Sequence, residues 1–267
     1  MLWSITPQVK RLILINAVAF VLFYLGMTAL QVIYPKLAVV LYKIFLNIAL
    51  VPREVIHGKV WQLFTYMFLH GGMGHILFNM LALWMFGSEL EEMWGESKFL
   101  RYYLICGIGA GVITTIFTPN SILPTIGASG AIFGLLLAFG MLFPDRIVLV
   151  FFFFPMKAKV FVILFGLIEF LSSFSFIGGG TPGIAHLAHL GGMIVGYLYL
   201  KTEQKLDFIY SFSFNKHWQN HNLQRKEKAR IKLDELLGKI SREGFHSLTP
   251  GEKKMLDKLR NELNRGL

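Results

Sequence analysis

The sequence predicts an all-α, polytopic membrane protein, in which a bundle of six transmembrane helices is followed by a small helical cytoplasmic tail. Of the 267 residues, 54% are hydrophobic and only 16% are charged, whereas soluble globular domains are about one quarter charged. Apolar runs near the length that crosses a bilayer, roughly 20 residues, fill residues 1–201. Polar residues are concentrated in residues 202–267. We therefore predict a membrane domain over 1–201 and a separate tail over 202–267.

The six predicted spans are separated by prolines, which favour helix ends. A shorter apolar stretch, Leu37–Leu50, is followed at once by Pro52, Arg53 and Glu54, and so indicates an interfacial or re-entrant segment rather than a span. The first apolar run is longer than the core of a signal peptide, roughly 7–15 residues, which favours a span over a cleaved leader. The predicted spans are approximately 12–33, 73–92, 98–118, 126–143, 158–175 and 184–201.

The distribution of Lys and Arg predicts the orientation, because cytoplasmic loops are enriched in them. With the N-terminus inside, the loops after the third and fifth spans lie outside and contain neither residue. The long first outer loop contains four basic residues, which is a mild conflict. An even number of spans returns the C-terminus to the cytoplasm. We therefore expect an integral membrane protein with both termini in the cytoplasm.

The tail is basic, with fifteen Lys and Arg against nine Asp and Glu from Lys201 onward. Beside membrane helices, such a tail indicates contact with membrane lipids rather than nucleic acid. Thr249, Pro250 and Glu252 are typical of a helix start with a capping box. We predict one or two amphipathic helices in this region.

Polar residues share one end of the predicted bundle. The second, fourth and sixth spans all run from outside to inside. His75 and Asn79 begin the second span, Ser129 begins the fourth, and His189 begins the sixth. These residues therefore lie at the same, outer depth. His70 comes just before the second span and is expected to hold loop structure.

Ser129 and His189 suggest a nucleophile and its base. Ser129 follows Gly127 and precedes Gly130, and small residues of this kind also serve close helix packing. The two interpretations are compatible, since close packing would bring the serine to a base. A serine hydroxyl is a poor nucleophile until a base accepts its proton. Because no Asp lies nearby in these spans, we predict a Ser–His dyad and no triad.

A metal site is the alternative for the histidines, because His186 and His189 have the spacing of a ligand pair. However, no Asp or Glu lies at the outer ends of the second, fourth or sixth spans. The His-Glu-x-x-His signature is absent, and the single cysteine, Cys106, excludes a Cys-based zinc site. We therefore predict no metal and no cofactor.

His75 and Asn79 are four residues apart and share one helix face. Acyl transfer places negative charge on the carbonyl oxygen, which preorganised donors stabilise. Together with the backbone N–H of Ser129, these two side chains are candidates for an oxyanion hole. The alternative is a polar pair that holds helices together.

The motifs of this chain resemble those of the rhomboid family of intramembrane serine proteases. The resemblance covers about residues 10–200 and is carried by the runs Trp61–His70, Gly74–Asn79, Gly127–Gly130 and Ala188–Gly192. It implies a six-helix bundle without a cofactor, in which Ser129 is the nucleophile, His189 the base, and His75 and Asn79 the oxyanion donors. It also implies substrates that are single transmembrane helices cut near their outer end. The expected location is a bacterial inner membrane, with the active site open to the outer side.

Two positions depart from the family pattern. Gln62 follows Trp61 where an arginine is frequent, and Phe133 stands where some members stack a tyrosine on the catalytic histidine. Gly127, Gly130, Phe133 and His186 are expected to support the site. Glu91 resembles a family glutamate that ties helices together. The role of Glu169, in the fifth span, stays open between a functional acid and a side chain that reaches outer water.

Two other functions compete with a protease. A catalytically inactive rhomboid-like protein would bind membrane clients without cutting them, but loss of the serine or histidine would be expected. A transporter or channel would show paired intramembrane charges and related halves, and the spans show neither pattern.

Overall fold

The computed structural model describes residues 5–150, 153–174, 184–203 and 234–242, together with isolated positions between 244 and 256. The chain divides into two compact units, Met1–Lys201 and Thr202–Leu267. The first unit contains all of the predicted site residues. In the second, the structure describes a helix over 234–242 and a capping box, in which the Thr249 N–H donates to Glu252 Oε2 at 2.8 Å.

Helices make up most of the first unit, which confirms the helical class. A π-helical turn, Val21–Leu25, joins α1 and α2 into one helix, Pro7–Ile33, of 27 residues. A second π-helical turn, Leu83–Gly87, joins α6 and α7. The helices are α1 (Pro7–Phe20), α2 (Gly26–Ile33), α3 (Pro35–Ile48), α4 (Pro52–Ile56), α5 (Gln62–Thr65), α6 (Met73–Ala82), α7 (Ser88–Trp94), α8 (Glu96–Phe117), α9 (Ser129–Leu142), α10 (Ala158–Ser173) and α11 (described over 184–203).

Each predicted span lies largely on a helix: α1–α2, α6–α7, α8, α9, α10 and α11 in turn. Among the described residues, Pro7–Ile33 and Glu96–Phe117 have the length and hydropathy to cross a membrane. Ser129–Leu142 is apolar but shorter. The number of six spans therefore stays a prediction. The short apolar stretch before Pro52 forms α3.

A β-hairpin between α9 and α10 shows that the all-α prediction was incomplete. Strands β1 (Ile147–Val150) and β2 (Phe154–Lys157) pair antiparallel, with Val148 opposite Met156. Branched and aromatic side chains favour extended backbone here, and Pro144 stops the preceding helix. Pro144 before the hairpin and Pro155 within β2 were both read as helix ends, which hid the strand-forming residues around them.

Helix α9 lies in the middle of the unit, with nine of its fourteen residues buried. It packs against α8 through small residues, since a Cβ on Gly134 would lie 2.5 Å from Cys106 Sγ. The Tyr102 hydroxyl donates to the Gly134 carbonyl across this contact at 2.8 Å. Because α9 is surrounded, its first residue, Ser129, meets side chains from several neighbouring elements.

Candidate active site

The turn before α9 places Ser129 beside His75. Gly127 has φ +126°, which side-chain-bearing residues rarely adopt. A Cβ on Gly127 would lie 2.7 Å from His75 Nε2 and 3.6 Å from Ser129 Oγ. Glycine is therefore required both for the turn and for the approach of the imidazole. The Gly127 N–H donates to the Tyr66 carbonyl at 3.0 Å, which anchors the turn.

Glycines on α9 and α11 bring Ser129 to His189. A Cβ on Gly192 would overlap the Gly130 carbonyl oxygen, and one on Gly130 would lie 3.4 Å from the Ala188 carbonyl oxygen. The two backbones are thus in direct contact. At this contact Ser129 Oγ lies 2.7 Å from His189 Nε2, a normal length for a hydroxyl hydrogen bond.

Phe133 fixes the plane of the His189 imidazole. It follows Ser129 by one turn of α9, and its ring stacks on His189 with centroids 4.3 Å apart and planes 10° apart. The imidazole therefore lies against an aromatic face while one edge points at the serine. Phe133 supplies this support through its ring alone.

Glu169 corrects the expectation that no carboxylate accompanies the histidines. It lies on α10 and is only 7% exposed. Its Oε2 atom lies 3.0 Å from His189 Nδ1 and 2.6 Å from His186 Nδ1. Since a carboxylate only accepts hydrogen bonds, each Nδ1 donates to it. The expectation that no acidic residue lies near His189 is therefore wrong, because a carboxylate, a histidine and a serine form one connected array. The catalytic dyad itself stays a prediction.

The sequence left the role of Glu169 open and did not pair it with the histidines, because acidic partners were sought only in the three spans predicted to run inward. The fifth span is predicted to run outward, so its predicted outer end is its C-terminal end. Glu169 lies one turn before the end of α10 at Ser173. Its position in the fifth span was the signal that predicts this depth. His186 contacts Glu169 on the side of the array away from Ser129.

His75 is oriented to donate toward Ser129. The Gly71 N–H approaches His75 Nδ1 at 3.5 Å, a long contact, which favours the proton on Nε2, the atom nearest the Gly127 turn. The ring also contacts His70 edge to face, with centroids 5.0 Å apart. His70 itself is 3% exposed, so it packs under His75 instead of facing outward from the loop. Burial lowers the His70 pKa to about 4, and the neighbouring His75 acts in the same direction.

Asn79 and the Ser129 amide supply two further donors. Asn79 is 8% exposed, and its Nδ2 atom has no hydrogen-bond acceptor among the described residues. The Ser129 N–H belongs to the first turn of α9, where backbone donors have no acceptor within the helix. Buried donors without partners are costly in a resting protein, so these atoms are available to an incoming anionic group.

An apolar cavity of about 440 Å³ opens beside Asn79. It lies between α6, α9, α10 and β1, and both Asn79 and Phe133 form part of its wall. The rest of the wall is hydrophobic. An apolar side chain seated in this cavity would thus lie next to two residues of the site.

Comparison with family models gives one match, in which residues 57–204 match the Rhomboid domain. The matched range covers more than half of the chain. It includes every site residue described above, from His70 to His189.

Several relatives show the same similarity. "Rhomboid protease GluP" of Bacillus subtilis (strain 168) is 44% identical over 82 residues, which is 31% of this chain and 16% of that protein. "RHOMBOID-like protein 1" of Arabidopsis thaliana is 35% identical over 145 residues, 54% of this chain and 35% of that protein. "Putative rhomboid protease YdcA" of Bacillus subtilis (strain 168) is 31% identical over 154 residues, 57% of this chain and 73% of that protein. The chain thus spans well under half the length of the first two.

Proposed function

The chain belongs to the rhomboid family, and we propose that it is an intramembrane serine endopeptidase that cuts membrane proteins at or near the outer end of their transmembrane segments. The observation that carries the proposal is the 2.7 Å hydrogen bond between Ser129 Oγ and His189 Nε2. A serine held against an imidazole in an apolar bundle is the arrangement that acyl transfer requires.

In the proposed mechanism, Ser129 Oγ attacks the scissile carbonyl while His189 Nε2 accepts its proton. The imidazolium then protonates the leaving amine, which leaves an acyl group on Ser129. Water then enters, His189 Nε2 accepts one of its protons, and the hydroxide formed attacks the acyl carbonyl. The imidazolium returns that proton to Ser129 Oγ as the bond to the acyl group breaks and the carboxylic acid product leaves. Each step uses the same Oγ–Nε2 contact, so the short distance between these atoms serves both halves of the reaction.

Glu169 is a positioning residue in this proposal. By accepting a hydrogen bond from His189 Nδ1–H at 3.0 Å, its carboxylate keeps the proton on Nδ1 and leaves Nε2 unprotonated and ready to act as the base. It also stabilises the imidazolium that forms during attack. We therefore propose a Ser129–His189–Glu169 array in place of a dyad.

His75, Asn79 and the Ser129 N–H form the proposed oxyanion hole. Support comes from three observations: a glycine-sized gap separates His75 Nε2 from Ser129, the Asn79 amide is buried without an acceptor, and the Ser129 N–H is at a helix start. Donors that are in place before the reaction stabilise the developing charge without reorganising.

The substrate class that we propose is a single-span transmembrane protein. The cavity beside Asn79 and Phe133 is lined almost wholly by hydrophobic side chains, which suits an apolar side chain near a transmembrane helix end. The family is one of integral membrane proteins. We propose six spans with both termini in the cytoplasm, the site open to the outer side, and a basic tail that contacts anionic lipid.

The test is cleavage of a purified single-span substrate in detergent, run beside labelling with a fluorophosphonate probe. We expect wild type to cut and to label at Ser129, and Ser129→Ala to do neither. Ser88→Ala is the matched control, because Ser88 is also buried in a helix but lies on α7. It is expected to retain both activities.

Two outcomes would contradict the proposal. Normal cleavage by Ser129→Ala would show that Ser129 is not the nucleophile. A folded wild-type protein that captures the substrate but neither cuts it nor labels would identify a client-binding member of the family without protease activity.

A further inference from the structure

We propose that Glu169, His186 and His189 also form a binding site for a divalent transition-metal ion, of which Zn²⁺ is the type, and that the bound ion switches the protease off. The inhibitory consequence rests on the proposed function. The binding site rests on the geometry of the cluster alone.

The three side chains already converge on one point. Glu169 Oε2 lies 2.6 Å from His186 Nδ1 and 3.0 Å from His189 Nδ1, and one ligand atom of each residue lies within 4.8 Å of the others. Ligands of a tetrahedral zinc ion, each about 2.0–2.2 Å from the metal, stand roughly 3.4 Å apart. An ion could therefore be accommodated by small side-chain movements.

The donor set favours zinc over the abundant hard cations. Two imidazole nitrogens and one carboxylate oxygen are a familiar zinc ligand set, with a fourth position left to water. Mg²⁺ and Ca²⁺ prefer sites made of oxygen. His186 is the most accessible of the three, with 28% of its side chain exposed against 9% for Glu169, so it offers an entry point.

His186 supports Glu169 but neither accepts nor delivers a proton in the proposed reaction. It lies one helical turn before His189, faces the same carboxylate, and takes no part in the Ser129 hydrogen bond. A histidine pair at i and i+3 on one helix face is well placed for two-point ligation. Metal binding gives a direct function to this second imidazole, which transfers no proton in the proposed steps.

Inhibition follows because a metal ion on Nδ1 of His189 changes which ring nitrogen carries the proton. In the metal-free site His189 carries its proton on Nδ1 and donates it to Glu169, which leaves Nε2 as acceptor. A metal ion on Nδ1 requires that nitrogen to be unprotonated, so the proton of the neutral ring moves to Nε2. Nε2–H then donates to Ser129 Oγ and no longer accepts the serine proton. The ion also withdraws Glu169 from its positioning role.

Binding is measured without activity, on the full-length Ser129→Ala variant stripped of metal and kept in detergent. We expect one equivalent of Co²⁺ to give visible ligand-field absorption that Zn²⁺ abolishes. Glu169→Gln and His186→Gln, each added to this background, should weaken binding at least about tenfold. His57→Gln, which removes an exposed histidine of α4's C-terminal cap, is the control and should bind as before.

Inhibition is then measured on the protein with Ser129 intact, by the rate of fluorophosphonate labelling at buffered free Zn²⁺. Labelling should slow as Zn²⁺ rises and recover fully with EDTA, while Mg²⁺ has no effect. His186→Gln should raise the inhibitory concentration at least about tenfold, relative to its own metal-free rate. His57→Gln should leave it unchanged.

The outcomes separate the two proposals. If Ser129→Ala binds Co²⁺ no more tightly than the same variant with Glu169→Gln or His186→Gln added, the metal-site proposal is wrong, whatever the protease activity. An inhibitory concentration that His186→Gln does not change overturns the switch. If Co²⁺ binding depends on Glu169 and His186 but the wild-type protein neither cuts the substrate nor labels, the metal-site proposal is supported and the protease proposal is wrong. Because the two ligand substitutions lie on different helices, one folded variant is enough to decide.

Discussion

Two buried glutamates, Glu91 and Glu169, show how the same residue type takes different roles in one bundle. Both are almost fully buried, at 3% and 7% exposure. Glu91 accepts from the Gln8 and Val9 N–H groups, each at 2.9 Å, and from the Thr6 hydroxyl. Glu169 accepts from two imidazoles, of His186 and His189.

The partners, and not the burial, distinguish the two residues. Glu91 caps the first turn of α1, where a carboxylate satisfies orphan backbone donors and complements the helix dipole. Its partners neither titrate nor bind metal, so its contribution is structural and joins α7 to α1. The partners of Glu169 are imidazoles, a side chain that in general can exchange protons and ligate metals. A buried acid beside imidazoles is therefore a functional candidate, while one beside backbone amides is a cap.

Removing Glu91 is expected to give the largest effect, on stability. Glu91→Ala leaves two N–H groups and a hydroxyl buried without an acceptor, at about 1–3 kcal/mol each when fully buried. We expect a loss of about 3–5 kcal/mol in the free energy of unfolding, measured by denaturant titration in detergent. Activity per folded molecule should persist.

The control for this prediction is Glu92→Ala, the exposed neighbour on the same helix. It should change stability by less than about 0.5 kcal/mol, as surface substitutions usually do. If Glu91→Ala were as stable as Glu92→Ala, the cap would contribute nothing and the contrast between the two glutamates would fail.

Replacing Glu169 by glutamine is expected to act on catalysis instead. The amide can present its NH₂ group to His189 Nδ1, which favours the proton on Nε2, the wrong tautomer for a base. We expect kcat to fall about 100-fold, equivalent to about 2.7 kcal/mol, with little change in KM. The thermal midpoint should fall by much less than in Glu91→Ala.

Two further substitutions of Glu169 distinguish a role in orienting His189 from a role in packing. Glu169→Asp keeps a carboxylate and should recover part of the lost kcat, while Glu169→Leu keeps the bulk without an acceptor and should not. Equal rates in the Gln, Asp and Leu variants would mean that Glu169 does not orient His189.

Asn79→Ala tests a donor without a charge and should have a smaller effect. Loss of one oxyanion donor in a soluble protease raises the activation free energy by about 2.7–4 kcal/mol. Here His75 and the Ser129 N–H remain and would still stabilise the oxyanion. We therefore expect kcat to fall about tenfold with little change in KM. A drop in melting temperature with unchanged kcat would instead assign Asn79 to helix packing.

The sequence was sufficient to predict those parts of the fold and site that follow from simple periodic patterns. Hydrophobic length and prolines located the helical segments, and the alternation of span direction put Ser129, His189, His75 and Asn79 at one depth. The β-hairpin at Ile147–Lys157 was missed because prolines were taken only as helix ends. The hairpin depends on the pairing of two strands, and the hydrophobic-length and proline rules used here do not predict which segments pair.

Glu169 was not assigned for a related reason. A lone acid in a span has no sequence neighbour that reveals its partner, and its two histidines lie on another helix. Gly127 and Gly130 were predicted to serve close packing, but the near-contact of the Gly130 carbonyl with Gly192 depends on the crossing of two helices. Contacts of this kind follow from tertiary geometry and not from spacing.

The smallest predicted effect concerns His70, a buried histidine with no carboxylate partner among the described residues. Burial lowers its pKa to about 4, against about 6.5 in an unfolded chain. Between these values the unfolded state binds more protons, so stability is fully present above pH 6.5 and falls as pH drops toward 4. We expect His70 to contribute a loss of about 1 kcal/mol between pH 7.5 and pH 5.5. Denaturant titrations at both pH values should show that loss in wild type and in the exposed-site control His57→Gln, and a smaller one in His70→Gln. If His70→Gln loses as much stability as wild type over this interval, the imidazole is not held neutral by its burial against His75.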